Sequence, residues 1–396
     1  PPFMPYRGVA RTGVCFALEM MIALVARELG MEPYQFRLAN LVPPEAMPYT
    51  NITGKLFDSG DYPQCLRRAV EAIDLPAVRR RQEKGEADGR LIGLGLATFC
   101  EQAAHGTTVY AAWGIPMVPG FEQATARMTP DGALELRIGV HSHGQGMETS
   151  MAQVAHEVLG IDPAIVNVVH GDTAATPFST GTWGSRSMVM AGGEVARAWY
   201  LTPEQLPADV AHEGLEVTAG YKPQVDSGTF SYATHAVVVA VDPELGGVEI
   251  LDYVVVEDGG TLVNPMIVDG QILGGTAQGI GTALYEESPF DRQGQPLAST
   301  FVDYILPGAT EVPDIEIVHM ETPSPFTAYG IKGLGEGGAI APPAAIGNAI
   351  NDALKGLGAE VLETPATPRR ILRAIEAARA AGKAPAVAAA REGAEQ

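Results

Sequence analysis

Cysteine is scarce in this chain. Only Cys15, Cys65 and Cys100 occur in 396 residues, far apart and without a CxxC pair. That argues against a structural zinc site or an iron–sulfur cluster on this chain. It also leaves no disulfide framework, which fits a reducing, cytoplasmic setting. Basic residues are outnumbered, with Lys+Arg 26 against Asp+Glu 47 and a net charge of −21. Nucleic acid, whose phosphates need basic partners, is therefore a poor candidate ligand. No apolar run is long enough for a membrane helix, and no signal-like start is present. The first residue is Pro1 rather than Met, so the expectation is a true N-terminus that is missing or processed. What is plentiful is glycine (46) and proline (30) on a background that is 46% hydrophobic. Tight turns, close backbone approaches and a sizeable core follow from that mixture, and the length allows two or three domain-sized units.

Apolar spacing predicts helices over 13–30, 62–84, 147–159, 188–199, 266–284 and 342–356. Strands are expected over 91–99, 121–128, 133–139, 165–170, 232–241 and 247–256, with a hairpin turn at Asp131-Gly132. Residues 200–230 read as mostly loop, and the Ala/Arg-rich tail from about 368 as helix that frays. Interleaved strands, helices and hairpins imply an α/β, mixed α+β, class. A strand–helix–Gly-rich-loop pattern occurs around 133–187 and again around 232–284, which leaves an internal duplication open.

Four stretches carry chemistry. HSHGQGMETSMAQVAHEVLG (141–160) sets Gly-x-Gly at a strand-to-helix junction, where free backbone N–H groups suit an anionic ligand or merely a tight turn. GDTAATPFSTGTWGSRSM (171–188) gathers hydroxyls, bare backbone and Arg186, as a phosphate cradle would, or a polar surface loop. DGQILGGTAQGIG (269–281) sets Gly274, Gly275, Gly279 and Gly281 in a helical frame, so another helix or a cofactor must press on that face, with Gln278 best placed to meet it. YGIKGLGEGGAIAPPAAIGNAINDAL (329–354) sets Glu336 among glycines just before a Pro-started helix. If buried, such a carboxyl can serve as a general base; otherwise it is a solvated or capping residue. His141 and His143 share a strand face, but no third metal ligand is evident.

In this order, the four stretches resemble the molybdopterin-binding large subunit of the xanthine dehydrogenase/aldehyde oxidase/carbon monoxide dehydrogenase family. So do PYRGVARTGVCFALE, MPYTNITGKLFDSGDY and VVEDGGTLVNP. The likeness spans nearly all of residues 4–358 and points to the C-terminal half of that subunit. It implies that Glu336 is the base that deprotonates a metal-bound hydroxyl, and that Gln278 contacts the pterin. By the same resemblance, His143, Gly144 and Gln145, and Thr182, Trp183, Gly184, Ser185, Arg186 and Ser187, contact the pterin and its dinucleotide. Lys332, Gly333, Leu334 and Gly335 form a further backbone cradle, and Arg7 and Gly8 approach the metal. No protein side chain ligates molybdenum, because the pterin dithiolene does. The implied cofactor is molybdenum–molybdopterin in its cytosine dinucleotide form, with [2Fe-2S] clusters on a small partner subunit and FAD on a medium one. The implied reaction is hydroxylation of an aldehyde or N-heteroaromatic substrate with water as oxygen source.

Departures narrow the reading. PYRGVA has no cysteine, against a copper–molybdenum CO oxidase, and Val9 follows Arg7-Gly8, against purine specificity. The family's first half is absent, and the stretch from Arg197 to Leu206 is short, so a separate chain supplying that half is one expectation. An alternative is a scaffold half-subunit, active only with such a partner. The expected divisions are an entry segment (1–85), two pterin-binding subdomains (86–200 and 232–365), a shortened connection (201–231) and a tail (366–396). Tyr110, Trp113 and Met117 either line an apolar funnel or only pack. The substrate itself is not legible.

Overall fold

The computed structural model describes residues 5–129, 132–197 and 216–383. A short hairpin of β1 (Tyr49–Thr50) and β2 (Leu56–Phe57) precedes the main strands. In chain order these are β3 (Leu91–Ala103), β4 (Glu122–Met128), β5 (Leu134–Ile138), β6 (Val166–Val169), β7 (Glu216–Tyr221), β8 (Thr229–Val241), β9 (Val248–Asp258) and β10 (Glu316–Met320). They build two four-stranded sheets, ordered β10-β9-β8-β3 and β6-β5-β4-β7. Each is antiparallel except for one parallel edge pair, β9/β10 and β5/β6. In both, a helix makes the crossover that a parallel pair requires: Pro265–Leu284 in the first, Met147–Leu159 in the second. The repeated strand–helix pattern in the sequence thus corresponds to a repeated topology.

Every residue of β8, TFSYATHAVVVAV, is buried, because both faces of its sheet are covered. A strand in that position reads as a continuous apolar run rather than an alternation. One face packs against the helices Pro265–Leu284, Pro342–Leu354 and Pro368–Ala380. The other packs against Tyr62–Ala72 and Leu75–Lys84. The Pro342–Leu354 helix lies so close to β3 that a Cβ at Gly93 would overlap the Ala349 carbonyl oxygen, and one at Gly95 that of Ala345. Glycine on the strand and alanine on the helix are what allow this approach. Asn348 fixes the seat, its Nδ2 donating to the carbonyls of Leu96 (3.0 Å) and Glu19 (3.2 Å).

Several expectations change. The helix expected over 62–84 breaks at Asp74, whose backbone is left-handed (φ 47°) and whose carboxylate accepts from the Ala77 N–H at 3.1 Å. Asp-Leu-Pro was the signal: an N-cap followed by a proline that needs no N–H partner. β3 runs four residues past the expected end at 99, through Glu101 to Ala103. The segment 200–230 contains β7 and the start of β8 rather than loop alone. The expected 188–199 helix starts as a π-helical turn, Met188–Gly192, and continues as Gly193–Arg197; 198–199 lie outside the described residues. So does Asp131 of the hairpin turn, although β4 and β5 do pair. Finally, β3 pairs with β8 along its whole length. A division at residue 200 therefore does not separate two self-contained sheets.

Candidate active site and cofactor cradle

The site forms where loops from the two sheets meet. The segment 332–337 leaves the first sheet and leads into the Pro342–Leu354 helix. Its anchor is Lys332, whose buried Nζ donates to Asp258 Oδ1 (3.0 Å), Thr322 Oγ1 (3.1 Å) and the Ser59 carbonyl (3.2 Å). The Lys332 N–H is bonded to the Gly259 carbonyl (3.0 Å). At Gly333 any Cβ would overlap the Ser185 carbonyl oxygen, and the Gly333 N–H donates to Thr229 Oγ1 (3.2 Å). The Lys332 side chain and both of these N–H groups are therefore occupied within the protein. The part of the loop left to face a ligand is Leu334–Gly335, where a Cβ at Gly335 would find its nearest atom, Gln271 Oε1, at 3.7 Å.

Glu336 is held by three hydrogen bonds with two partners. Its Oε1 accepts from the Gly8 N–H (3.2 Å) and its Oε2 from Ser185 Oγ (3.2 Å), while its own N–H donates to that Oγ (3.0 Å). It is half-buried. Ser185 adopts φ 54°, a left-handed backbone that a non-glycine residue rarely takes and that clusters at functional sites. Arg7 ties the loop to the Pro265–Leu284 helix. Its Nε donates to the Gly335 carbonyl (2.7 Å), and its terminal nitrogens donate to Gln278 Oε1 (3.1 Å), Gln271 Oε1 (3.0 Å) and the Gln271 carbonyl (3.0 Å).

The glycines of that helix divide their work. Gly275 lies against the backbone of Gly338, and Gly279 against the ring of Pro342, so protein packing accounts for both. Gly274 is nearer the site, where a Cβ would sit 3.5 Å from an Arg7 nitrogen. Gln271 and Gln278, seven residues apart on one helix face, converge on the same guanidinium.

The other two stretches are stitched together. Thr182 Oγ1 donates to the His141 carbonyl (2.6 Å) and accepts the His141 N–H (2.9 Å), and Ser187 Oγ donates to Thr182 Oγ1 (3.2 Å). His141 and His143 touch through their Nε2 atoms at 2.9 Å. Gln145 folds its amide onto its own loop, accepting from the His143 N–H and donating to the His141 carbonyl. A Cβ at Gly144 would meet nothing within 4 Å, so this turn presents open backbone. Trp183 is 37% exposed, with Nε1 donating to Thr180 Oγ1 (3.3 Å).

Arg186 differs from the expectation drawn from its loop. It is wholly buried, paired with Glu122 and bonded to Thr180 Oγ1 (2.9 Å) and the carbonyls of Gly181 and Phe121 (both 3.3 Å). Its guanidinium braces the loop from within instead of facing a phosphate. Glu194, also buried, has one oxygen accepting from the Tyr221 N–H. Burial, and then the nearby Glu122, push its carboxyl up to about 10. Its contribution to stability is thus full below the ordinary carboxylate range and lost as pH rises toward 10. Glu194→Gln should therefore be increasingly more stable than the parent from pH 5 to about 10. Denaturation midpoints across that range check it; a constant difference contradicts it.

Sequence reasoning missed Glu101, Gln271 and Arg11. Glu101 lies beyond the expected end of β3 and is fully buried. Gln271 was detectable, since it stands two helical turns before Gln278. Tyr110 is buried and packs against His105, Trp113 and Trp183, with ring centroids 5.5, 5.9 and 5.0 Å away. Met117 is 90% exposed and apart from this cluster. Among the described residues, no group of three or more His, Cys, Asp or Glu is arranged to hold a metal ion. No helix among them is long and apolar enough to cross a membrane.

Open glycine backbone, side-chain amides and a stapled carboxylate gather at one junction. Comparison with known proteins gives the family. A family model described as the molybdopterin cofactor-binding domain matches residues 68–212 and 193–313. The nicotine 6-hydroxylase large subunit of Paenarthrobacter nicotinovorans is 34% identical over 418 residues, covering 94% of this chain and 51% of that protein. The carbon monoxide dehydrogenase large chain of Hydrogenophaga pseudoflava is 31% identical, covering 92% and 51%. The crystal structure of quinoline 2-oxidoreductase from Pseudomonas putida 86 superposes with a TM-score of 0.85 at 35% identity, over 94% of this chain and 53% of that one. The chain therefore belongs to the molybdopterin cofactor-binding family, with the large subunits of molybdenum hydroxylases as its relatives. It spans about half the length of the curated relatives it matches.

Proposed function

We propose that this chain clasps molybdopterin and supplies Glu336 as general base in a molybdenum hydroxylase. The substrate class would be an aldehyde or an N-heteroaromatic ring, with water as the oxygen source. The observation that carries the reading is the Glu336 carboxylate, aimed by Gly8 N–H and Ser185 Oγ beside the Arg7–Gln271–Gln278 cluster. The fit of the cofactor rests on the lining. Gly144 and Gly335 leave room where side chains would intrude, and the side-chain amides of Gln271 and Gln278 offer hydrogen-bonding groups a pterin needs. When bound, the cofactor supplies the two-electron redox centre that side chains lack.

The protein's share is positioning and proton handling. Arg7 holds Gly335 and both glutamines in one arrangement, so a ligand meets a preformed surface. Glu336 takes a proton on a carboxylate oxygen, and the Gly8 and Ser185 contacts keep it from turning away. His105 is buried and its pKa is depressed to about 3 by burial, then by Arg11, so it stays neutral beside the site. By the same reading, electrons leave through partner subunits bearing [2Fe-2S] clusters and FAD. The pterin takes its cytosine dinucleotide form, the compartment is cytoplasmic, and the remainder of the large subunit completes the enclosure.

Turnover of the assembled complex in isotopically heavy water tests this. The hydroxylated product should carry heavy oxygen from water. Product labelled only from heavy dioxygen overturns the reading.

A further inference from the structure

The Glu336 base has a carboxyl neighbour. Glu101, near the C-terminal end of β3, is fully buried, and its Oε1 lies 3.4 Å from Ser185 Oγ. That hydroxyl is also 3.2 Å from Glu336 Oε2 and accepts the Glu336 N–H. A serine hydroxyl has one proton, so it can donate to only one of the two carboxyls at a time. Two anionic carboxylates competing for that one hydroxyl repel, whereas a proton on Glu101 lets it donate to Ser185 Oγ while Ser185 donates to Glu336.

The surroundings indicate which one holds it. The cation paired with Glu101 is Arg11, whose Nη1 stands 3.8 Å from Oε1, while its Nη2 is bonded to the Gln102 carbonyl (2.7 Å) and His105 Nε2 (3.3 Å). The second oxygen of Glu101 is buried without a partner. From β9, Glu257 adds another buried carboxyl with neither oxygen bonded, held well above the ordinary range by burial and by Glu101. Arg7 faces all three carboxyls electrostatically, but its hydrogen bonds go to Gly335, Gln271 and Gln278. Glu336, by contrast, accepts from two donors and is only half-buried.

We propose that Glu101 is a positioning residue that holds one proton and passes its hydrogen bond to Glu336 through Ser185, keeping the Glu336 carboxyl aimed. This rests on the reading of Glu336 as the base. Burial, opposed by Arg11 and reinforced by Glu336, pushes the Glu101 carboxyl up to about 8. Above that pH Glu101 loses its proton and competes with Glu336 for the one Ser185 proton, and the alignment is lost.

The test is infrared spectroscopy of the purified holo-complex through a pH titration, following the carbonyl stretch of protonated carboxyl groups. A band titrating near pH 8 should be present in the parent and absent from Glu101→Gln. It should titrate at lower pH in Glu336→Gln, where the repelling neighbour is neutral. In turnover, Glu101→Leu should lose about tenfold in kcat, the effect of about one hydrogen bond, and Glu101→Gln, which can still donate, should recover most of that. No titrating band, or one unchanged in both glutamine variants, overturns the pairing. So does equal turnover loss in Glu101→Leu and Glu101→Gln. The base assignment fails separately: unimpaired turnover in Glu336→Gln removes the base, whatever the band shows.

Discussion

Glu336→Gln is expected to lose at least about 10²-fold in turnover while keeping its fold and its cofactor, the scale on which a positioned general base acts. The substitution is nearly isosteric. With its amide oxygen toward the Gly8 N–H, the glutamine turns its amide N–H toward Ser185 Oγ, which can accept it, so the loop has no reason to move. Only the capacity to take up a proton is removed. Steady-state kinetics beside molybdenum and pterin content separate the cases. Low turnover at full cofactor content is the predicted result, and near-normal turnover contradicts the assignment.

Gly95→Ala is expected to destabilise the protein by about 3 kcal/mol, the upper range for forcing an extra methyl into a filled core. A Cβ there overlaps the Ala345 carbonyl oxygen, which belongs to helix backbone and cannot swing aside. The Pro342–Leu354 helix would have to lift from β3, straining the Asn348 bonds to Leu96 and Glu19. That helix follows the Glu336 loop after one short turn, Gly337–Ala339, so the displacement should reach the site as well. Chemical denaturation monitored by fluorescence, alongside cofactor content, checks this. A loss below about 1 kcal/mol would mean that the seat is more yielding than its packing implies.

Much of this was legible in the residues. Strong periodicity located the Pro265–Leu284 and Met147–Leu159 helices, and the glycine-set carboxylate singled out Glu336. What escaped was decided by tertiary context. Arg186 reads as a phosphate ligand because hydroxyls and glycines surround it in sequence, but Glu122, remote in the chain, holds it in the interior. Lys332 stands in a glycine loop and yet points to Asp258, which only the fold brings near. Glu101 and Gln102 look like the end of a strand because charged and amide groups seldom continue one. Glu101 is buried where Glu336, Ser185 and Arg11, from three other segments, come together. Glycine patterning predicted a close approach at Gly275 and Gly279 but not its source, which proved to be Gly338 and Pro342.

Whether this chain holds molybdopterin in a working complex is tested by elemental mass spectrometry of the purified native complex, with its subunits separated. Molybdenum near one per copy of this chain, with iron on a smaller co-purifying subunit, is the expected result. A full-length, folded complex without molybdenum, pterin or iron would contradict it.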